Sequence, residues 1–158
     1  WDTDDPTPRL GDKVICNHND WKTASAIEGQ PLVNGLIGEI CSFEEYPIMA
    51  PYVGKIDLFK CGLVIDDGAD GYAPLLMDAK LFREHKETVT KQNFRYLKRI
   101  PIKPFEYAYA ITCHKSQGSE YNKVMVFEED WRGQEHKRWL YTAVTRAADK
   151  LVLVRNYK

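Results

Sequence analysis

The densest concentration of chemically capable side chains runs from Thr112 to Glu120, read as TCHKSQGSE. Thr112, Ser116 and Ser119 bring hydroxyls, His114 and Lys115 bring donors, and Gly118 lets backbone approach a ligand closely. Such groups suit phosphate oxygens, and Glu120 could accept from a ribose hydroxyl. A second cluster, Tyr141-Thr142-Ala143-Val144-Thr145-Arg146-Ala147, sets Thr142, Thr145 and Arg146 at helical spacing near one face, away from the apolar stripe. Taken singly, a polar loop is ordinarily structural and a helix arginine is ordinarily solvated or ion-paired. Their placement relative to the surrounding apolar runs gives them more weight.

Those runs predict a β-loop-helix-β-helix-β order from Phe105 onward. Tyr107 to Thr112 reads as a buried strand that delivers the polar loop, and His114 to Tyr121 reads as a loop and short helix. Lys123 to Phe127 reads as a strand, and Gln134 to Asp149 as a helix with Trp139, Leu140, Ala143, Val144 and Ala147 on one face. Leu151-Val152-Leu153-Val154 is a short continuous apolar strand of the kind that a parallel sheet buries on both faces. The helix bearing Arg146 precedes a strand of the same sheet as the loop, so both clusters can reach one cleft.

The front half has a β texture. Leu10 to Cys16 reads as a turn into a strand, Asn17 to Gln30 as a polar loop, and Asn34-Gly35 between apolar pairs as a hairpin signal. Ile56 to Ile65 reads as a further strand ending at the turn Asp66-Asp67-Gly68. Short strands with Gly-rich turns suggest a small barrel over residues 9–75, after an acidic leader or linker at 1–8. Residues 75–99 have a helical composition rich in Lys, Arg and His, and Ile100-Pro101-Ile102-Lys103-Pro104 is an extended connector. A helical connector at 76–104 and an α/β domain at 105–158 complete the division. Trp21, Tyr46 and Tyr52 fall in loops of the barrel region as possible stacking platforms, though packing is the commoner fate of such rings.

The chain has 158 residues, 44% apolar and 28% charged, with a net charge of −1. That composition indicates a packed globule, and any nucleic-acid surface must be a local patch. Cys16, Cys41, Cys61 and Cys113 form no C-x-x-C pair and no zinc spacing, which fits reduced thiols in a cytoplasmic protein and predicts no metal site. No apolar run is long enough to span a bilayer, and no signal peptide is expected from these residues. The chain opens at Trp1 without a Met and is expected to be a piece of a longer protein.

A-Y-A-I-T-x-H-K-S-Q-G-S-E-Y, then a strand, then L-Y-T-A-V-T-R-A, then L-V-L-V, resembles motifs V and VI of superfamily 1 helicases over residues 107–154. The form is similar to the RecD-like and Dda-like branch and its UvrD-like C-terminal domain. Gly-Asp-Lys-Val followed by Asn-Gly-x-x-Gly-Glu-Ile resembles the SH3-like barrel that this branch inserts into its second RecA-like domain. The resemblance implies a fold in which a RecA-like, P-loop-NTPase-type parallel sheet follows a small SH3-like β-barrel.

It also implies roles. Arg146 matches the motif VI finger that reaches the γ-phosphate of ATP, where such a group speeds phosphoryl transfer on the order of 10³–10⁵-fold. Gly118 and Glu120 match nucleotide-side positions of motif V. Thr112 and His114 match positions contacting the single-strand backbone, with Lys115 and Ser116 as neighbours. The implied cofactors are ATP and Mg²⁺, and the implied partners are single-stranded DNA and an N-terminal RecA-like domain of the same protein, without a membrane. Replication or recombination proteins are further partners that the resemblance allows.

No G-x-x-x-x-G-K-[ST] occurs in the sequence. Val124-Met125-Val126-Phe127-Glu128-Glu129-Asp130 imitates a Walker B strand, but it follows motif V rather than a P-loop, so its acids read as a solvated strand end. The expectation is the C-terminal motor part of an ATP-dependent 5′→3′ DNA helicase that does not hydrolyse ATP as an isolated piece. Two alternatives stand beside it: a non-catalytic nucleic-acid- or peptide-binding module on a degenerate scaffold, and an RNA helicase of the same superfamily.

Overall fold

Lys13–Cys16 (β1) is the strand around which the first part of the chain is laid down, and Val14, Ile15 and Cys16 are fully buried. In a computed structural model describing residues 6–65, 68–128 and 133–155, the chain forms two compact units, Trp1–Ala110 and Ile111–Lys158. The leader's first residues, Asp66-Asp67 of the expected turn and Glu129-Asp130 lie outside the described residues.

In the first unit the strands are β1, Asp20–Ala24 (β2), Pro31–Leu32 (β3), Ile37–Glu45 (β4), Ile48–Ala50 (β5), Gly54–Ile56 (β6), Leu58–Ile65 (β7), Asp70–Asp78 (β8), Ile102–Lys103 (β9) and Phe105–Tyr107 (β10). Six of them form one sheet in the order β10-β1-β4-β7-β8-β9, antiparallel except for the β8–β9 pair. The two edge strands β9 and β10 are separated in sequence only by Pro104. A sheet whose opposite edges are one residue apart must curl until they meet, which produces a barrel-like form.

The alternation of β7 turns Phe59, Cys61, Leu63 and Ile65 into a core shared with Val14, Leu32, Ile40, Met77, Phe82 and Phe105. A smaller cluster of Ala50, Ile56, Leu58 and Leu97 lies beneath the β5–β6 hairpin and the short helix Phe94–Leu97 (α2). Each fully buried side chain of this size stabilises by about 1.5–3 kcal/mol relative to exposure.

Several local expectations are corrected. Residues 17–30 are not all loop, because β2 pairs with β3. Asn34-Gly35 does form a turn, with Gly35 at φ +91°, but the strands on either side pair elsewhere rather than with each other. Leu75–Asp78 is strand rather than helix, since it continues β8 opposite Leu58–Cys61. The helix proper is Ala79–Glu84 (α1), capped by Asp78, whose side chain accepts from the Lys80 N–H. The expected boundary at 104/105 is displaced as well: β9 and β10 belong to the barrel sheet, and the compact unit ends at Ala110.

The second unit is a β-α-β arrangement. Tyr121–Glu128 (β11) and Ala147–Arg155 (β12) pair in parallel, joined through the helix Gln134–Val144 (α3). That order agrees with the sequence reading, with α3 ending at Val144 rather than Asp149. The strand expected at Tyr107–Thr112 is absent from this sheet. Its first residue closes β10 against β1, with Val14 opposite Tyr107, and residues 108–112 are irregular. The expectation of a sheet buried on both faces is met on one face only: Val126 is buried, but Met125 and Phe127 are 57% and 67% exposed.

Candidate functional site

Thr112 opens a tight run of turns that continues to Gly118, with no α-helix in it. Its hydroxyl accepts from the Lys115 N–H at 3.3 Å and its carbonyl from the Ser116 N–H at 3.2 Å, the role of an N-cap without a following helix. Ser116 is buried, and its hydroxyl donates to the Cys113 carbonyl at 2.7 Å. Gln117 N–H donates to the His114 carbonyl and Ser119 N–H to the Ser116 carbonyl, at 3.3 and 3.2 Å. The run ends at Gly118 with φ +87°, a conformation that side chains rarely adopt, and a Cβ there would meet nothing within 4 Å. Glycine is required here by the backbone angle, not by crowding.

Arg146 follows the end of α3 and reaches back to this run. Its Nε donates to the Thr142 carbonyl at 3.1 Å and its Nη2 to Thr145 Oγ1 at 3.2 Å. Its Nη1 donates to the Ser119 carbonyl at 3.0 Å. The backbone repeats the connection in the other direction, since Tyr121 N–H donates to the Arg146 carbonyl at 2.8 Å where β11 and β12 begin. Arg146 therefore stands beside the Gly118–Glu120 end of the turn run, with its guanidinium plane fixed at three points.

The sequence-predicted residues divide into groups. Gly118 and Glu120 are exposed and flank Ser119, which receives Arg146. Thr112 and His114 are exposed at the opposite end of the run, Lys115 is half-buried beside them, and Ser116 is buried, so its hydroxyl serves the turn rather than a ligand. Cys113 is tied to α3 by an Sγ contact to the Trp139 carbonyl at 3.6 Å. Burial raises the Cys113 thiol pKa, and the Arg146 charge opposes that rise.

The Walker B look-alike has a structural explanation. Glu128 is not a solvated strand end: its side chain is largely covered and bridges His136 Nε2 at 3.0 Å and Arg155 Nε at 2.5 Å. Among the described residues no group of three His, Cys, Asp or Glu is placed to hold a metal ion, and no helix is long and apolar enough to cross a membrane.

Sequence reasoning did not find Ser119 as the partner of Arg146, because the acceptor is a main-chain carbonyl and side-chain type carries no trace of it. The donor set suits one flank of a nucleotide phosphate: the guanidinium charge with the second N–H of Nη1 and of Nη2, which those bonds leave over, and a glycine turn open to approach. Glu120, exposed next to them, is the available acceptor for a sugar hydroxyl.

Residues 107–154 match the family model described as the UvrD-like helicase C-terminal domain. An uncharacterized protein of Methanocaldococcus jannaschii is 34% identical over 92 residues, covering 56% of this chain and 8% of its own length. Among solved structures, a Bacteroides Pif1 bound to ssDNA is similar at 17% identity and a TM-score of 0.50, covering 95% of this chain and 30% of that one. A Pif1 helicase from Candida albicans gives 18% identity and a TM-score of 0.44, covering 95% of this chain and 33% of that one. The chain thus spans about a third or less of the proteins it matches, and at these identities the structural likeness concerns the fold.

Proposed function

We propose that this chain, which carries the UvrD-like helicase C-terminal match at residues 107–154, is the C-terminal motor part of an ATP-dependent 5′→3′ DNA helicase of the RecD-like branch, with an SH3-like barrel ahead of its motif V. The observation that carries the reading is the Arg146 guanidinium at the Ser119 carbonyl, a bond between the two stretches that resemble motifs VI and V. The family match at residues 107–154 and the fold likeness to a Pif1 solved with ssDNA support it.

ATP with Mg²⁺ would supply the phosphoryl group whose transfer drives movement, held mainly by an N-terminal RecA-like domain. This chain's own residues would act around it. Arg146 presents positive charge and its remaining Nη1 and Nη2 N–H groups toward the transferred group, where charge develops in the transition state. Gly118 keeps the backbone clear for approach, and Glu120 accepts from the ribose. Thr112 and His114, with Lys115, contact the phosphates of the single strand from the other end of the run. A single run of turns with nucleotide at one end and nucleic acid at the other converts a change at Arg146 into a change at His114.

The test is made in the full-length protein. Arg146→Ala is expected to abolish single-strand-stimulated ATP turnover while nucleotide binding is largely retained; normal turnover would remove Arg146 from the role. Unwinding of duplexes with a 5′ or a 3′ tail, in DNA and in RNA, reads direction and substrate, and a 3′-tail or RNA preference would overturn those parts. The isolated 158 residues are expected to show no turnover of their own.

A further inference from the structure

Pro51 and Tyr52 occupy the two central positions of a tight turn joining β5 to β6, closed by a hydrogen bond from Val53 N–H to the Ala50 carbonyl at 3.2 Å. Tyr52 has φ +64°, in the left-handed region, at the position that normally takes Gly or Asn. A tyrosine in that conformation is strained, and burial does not compensate the strain, because Tyr52 is 89% exposed. Its ring instead rests on Tyr96 of α2, with centroids 5.1 Å apart and planes 36° from parallel. The Arg95 guanidinium lies 5.0 Å from the Tyr96 centroid.

The base under these rings is firm. The hairpin and α2 are anchored by the Ala50, Ile56, Leu58 and Leu97 cluster. The approach to α2 is fixed through Asn93, whose side chain accepts from Thr90 N–H at 2.7 Å and donates to the Thr88 carbonyl at 2.8 Å. Thr88 in turn donates to the buried Asp78 carboxylate from both its N–H and its hydroxyl. The charge is also local: from Thr88 to Phe105 the chain carries Lys91, Arg95, Lys98 and Arg99 and no Asp or Glu, while Lys103 in the same stretch is covered and paired with Asp20. Arg95, Lys98 and Arg99 are exposed.

We infer that Tyr52 and Tyr96, flanked by Arg95 and the exposed Lys98 and Arg99, form a stacking platform for the unpaired bases of single-stranded nucleic acid. Tyr52, the more exposed ring, presents a π-face that any base can cover, Tyr96 backs it from the other side, and the adjoining cations meet the phosphates. A peptide ligand would call for an apolar groove or an unpaired strand edge, whereas this patch offers rings and positive charge. The platform lies wholly within the first unit, supplies strand contacts beyond those assigned to Thr112 and His114, and does not depend on the motor reading.

The test measures anisotropy of a fluorescein-labelled oligothymidylate of about 16 nucleotides with the 158-residue chain. Tyr52→Gly suits the left-handed turn, so its thermal midpoint should stay close to that of the wild type while affinity falls. Tyr96→Ala should behave similarly in binding. The expected loss is about 5- to 150-fold for each ring, the equivalent of one stacked base. Arg95→Gln should flatten the salt dependence of binding. Tyr52→Trp should retain affinity. Unchanged affinity in Tyr52→Gly and Tyr96→Ala overturns the platform, as does failure of the chain to bind the oligonucleotide; a patch reserved for a protein partner would give the first result. His114→Ala, measured alongside, reports on the other contact: loss there with no loss at the tyrosines would remove the platform and leave the motor reading standing, and loss at the tyrosines alone would support the platform and remove the His114 contact.

Discussion

Arg146 and Ser119 are joined by a hydrogen bond that neither side-chain type announces: Nη1 of the arginine donates to the main-chain carbonyl of the serine at 3.0 Å. With Nε on Thr142 and Nη2 on Thr145, the guanidinium is set in one orientation. A planar fork is pre-organised for this in a way that a flexible ammonium is not.

Arg146→Lys should therefore fail almost as completely as Arg146→Ala. Lysine keeps the charge but cannot serve Thr142, Ser119 and Thr145 together. In the full-length protein, stimulated ATP turnover by the lysine variant is expected to fall by at least about 10²-fold, toward the on-the-order-of 10³–10⁵ loss typical of removing a finger. Turnover near the wild-type level would mean that charge alone suffices and that the three-point fixation has no role.

Gly118 isolates a backbone effect from a packing one. A Cβ at this position has open space around it, so Gly118→Ala costs only the left-handed conformation, about 1–2 kcal/mol. Gly118→Asn should recover much of that, since asparagine tolerates the same region. Urea unfolding of the two variants checks the order: asparagine should lie between glycine and alanine.

Gly71 is the opposite case. A Cβ there would press into the Leu63 carbonyl oxygen, which belongs to the backbone of the paired strand β7 and cannot turn aside. Gly71→Ala is expected to destabilise the first unit by about 1–3 kcal/mol or more through displaced strands. Gly62→Ala, whose nearest neighbour is the Ser42 side chain, should cost less. Thermal unfolding of the pair decides it.

Asp70 gives the first unit an acid limb. The Ser25 side chain, then the N–H groups of Ile27, Gly71 and Glu28, hold its carboxyl down to about 2. An unfolded aspartate titrates near about 3.9. A depressed folded-state value contributes stability that is present above the unfolded value and is lost as pH falls through the folded one. The difference in thermal midpoint between wild type and Asp70→Asn should thus be full at neutral pH and close between about pH 4 and about pH 2. A constant difference over that range would show that the hydrogen bonds do not depend on charge.

How much of this could be read from the residues varies along the chain. The second unit was legible because its signals are local: continuous apolar runs for β11 and β12, and a helical stripe between them. The first unit was legible only in texture. Leu75–Asp78 has a composition suited to helix, but pairing with β7 decides its state, a case of tertiary contact overriding propensity. Tyr107 read as the first residue of a strand of the later sheet, yet it ends a strand that pairs with β1, because alternation says that a strand exists and not which neighbour it takes. The side chains of the candidate site were legible by type and spacing. The Ser119 carbonyl and the Tyr52–Tyr96 stack depend on distances that spacing does not encode.

The bare side of the β11–β12 pair has a practical consequence at the bench. Met125 and Phe127 face the same way as Val152 and Val154, which are 39% and 40% exposed. A patch of that kind is sticky. Preparations of these 158 residues should self-associate as they are concentrated, and light scattering should fall when Phe127 is replaced by a lysine that leaves the helix-covered side untouched.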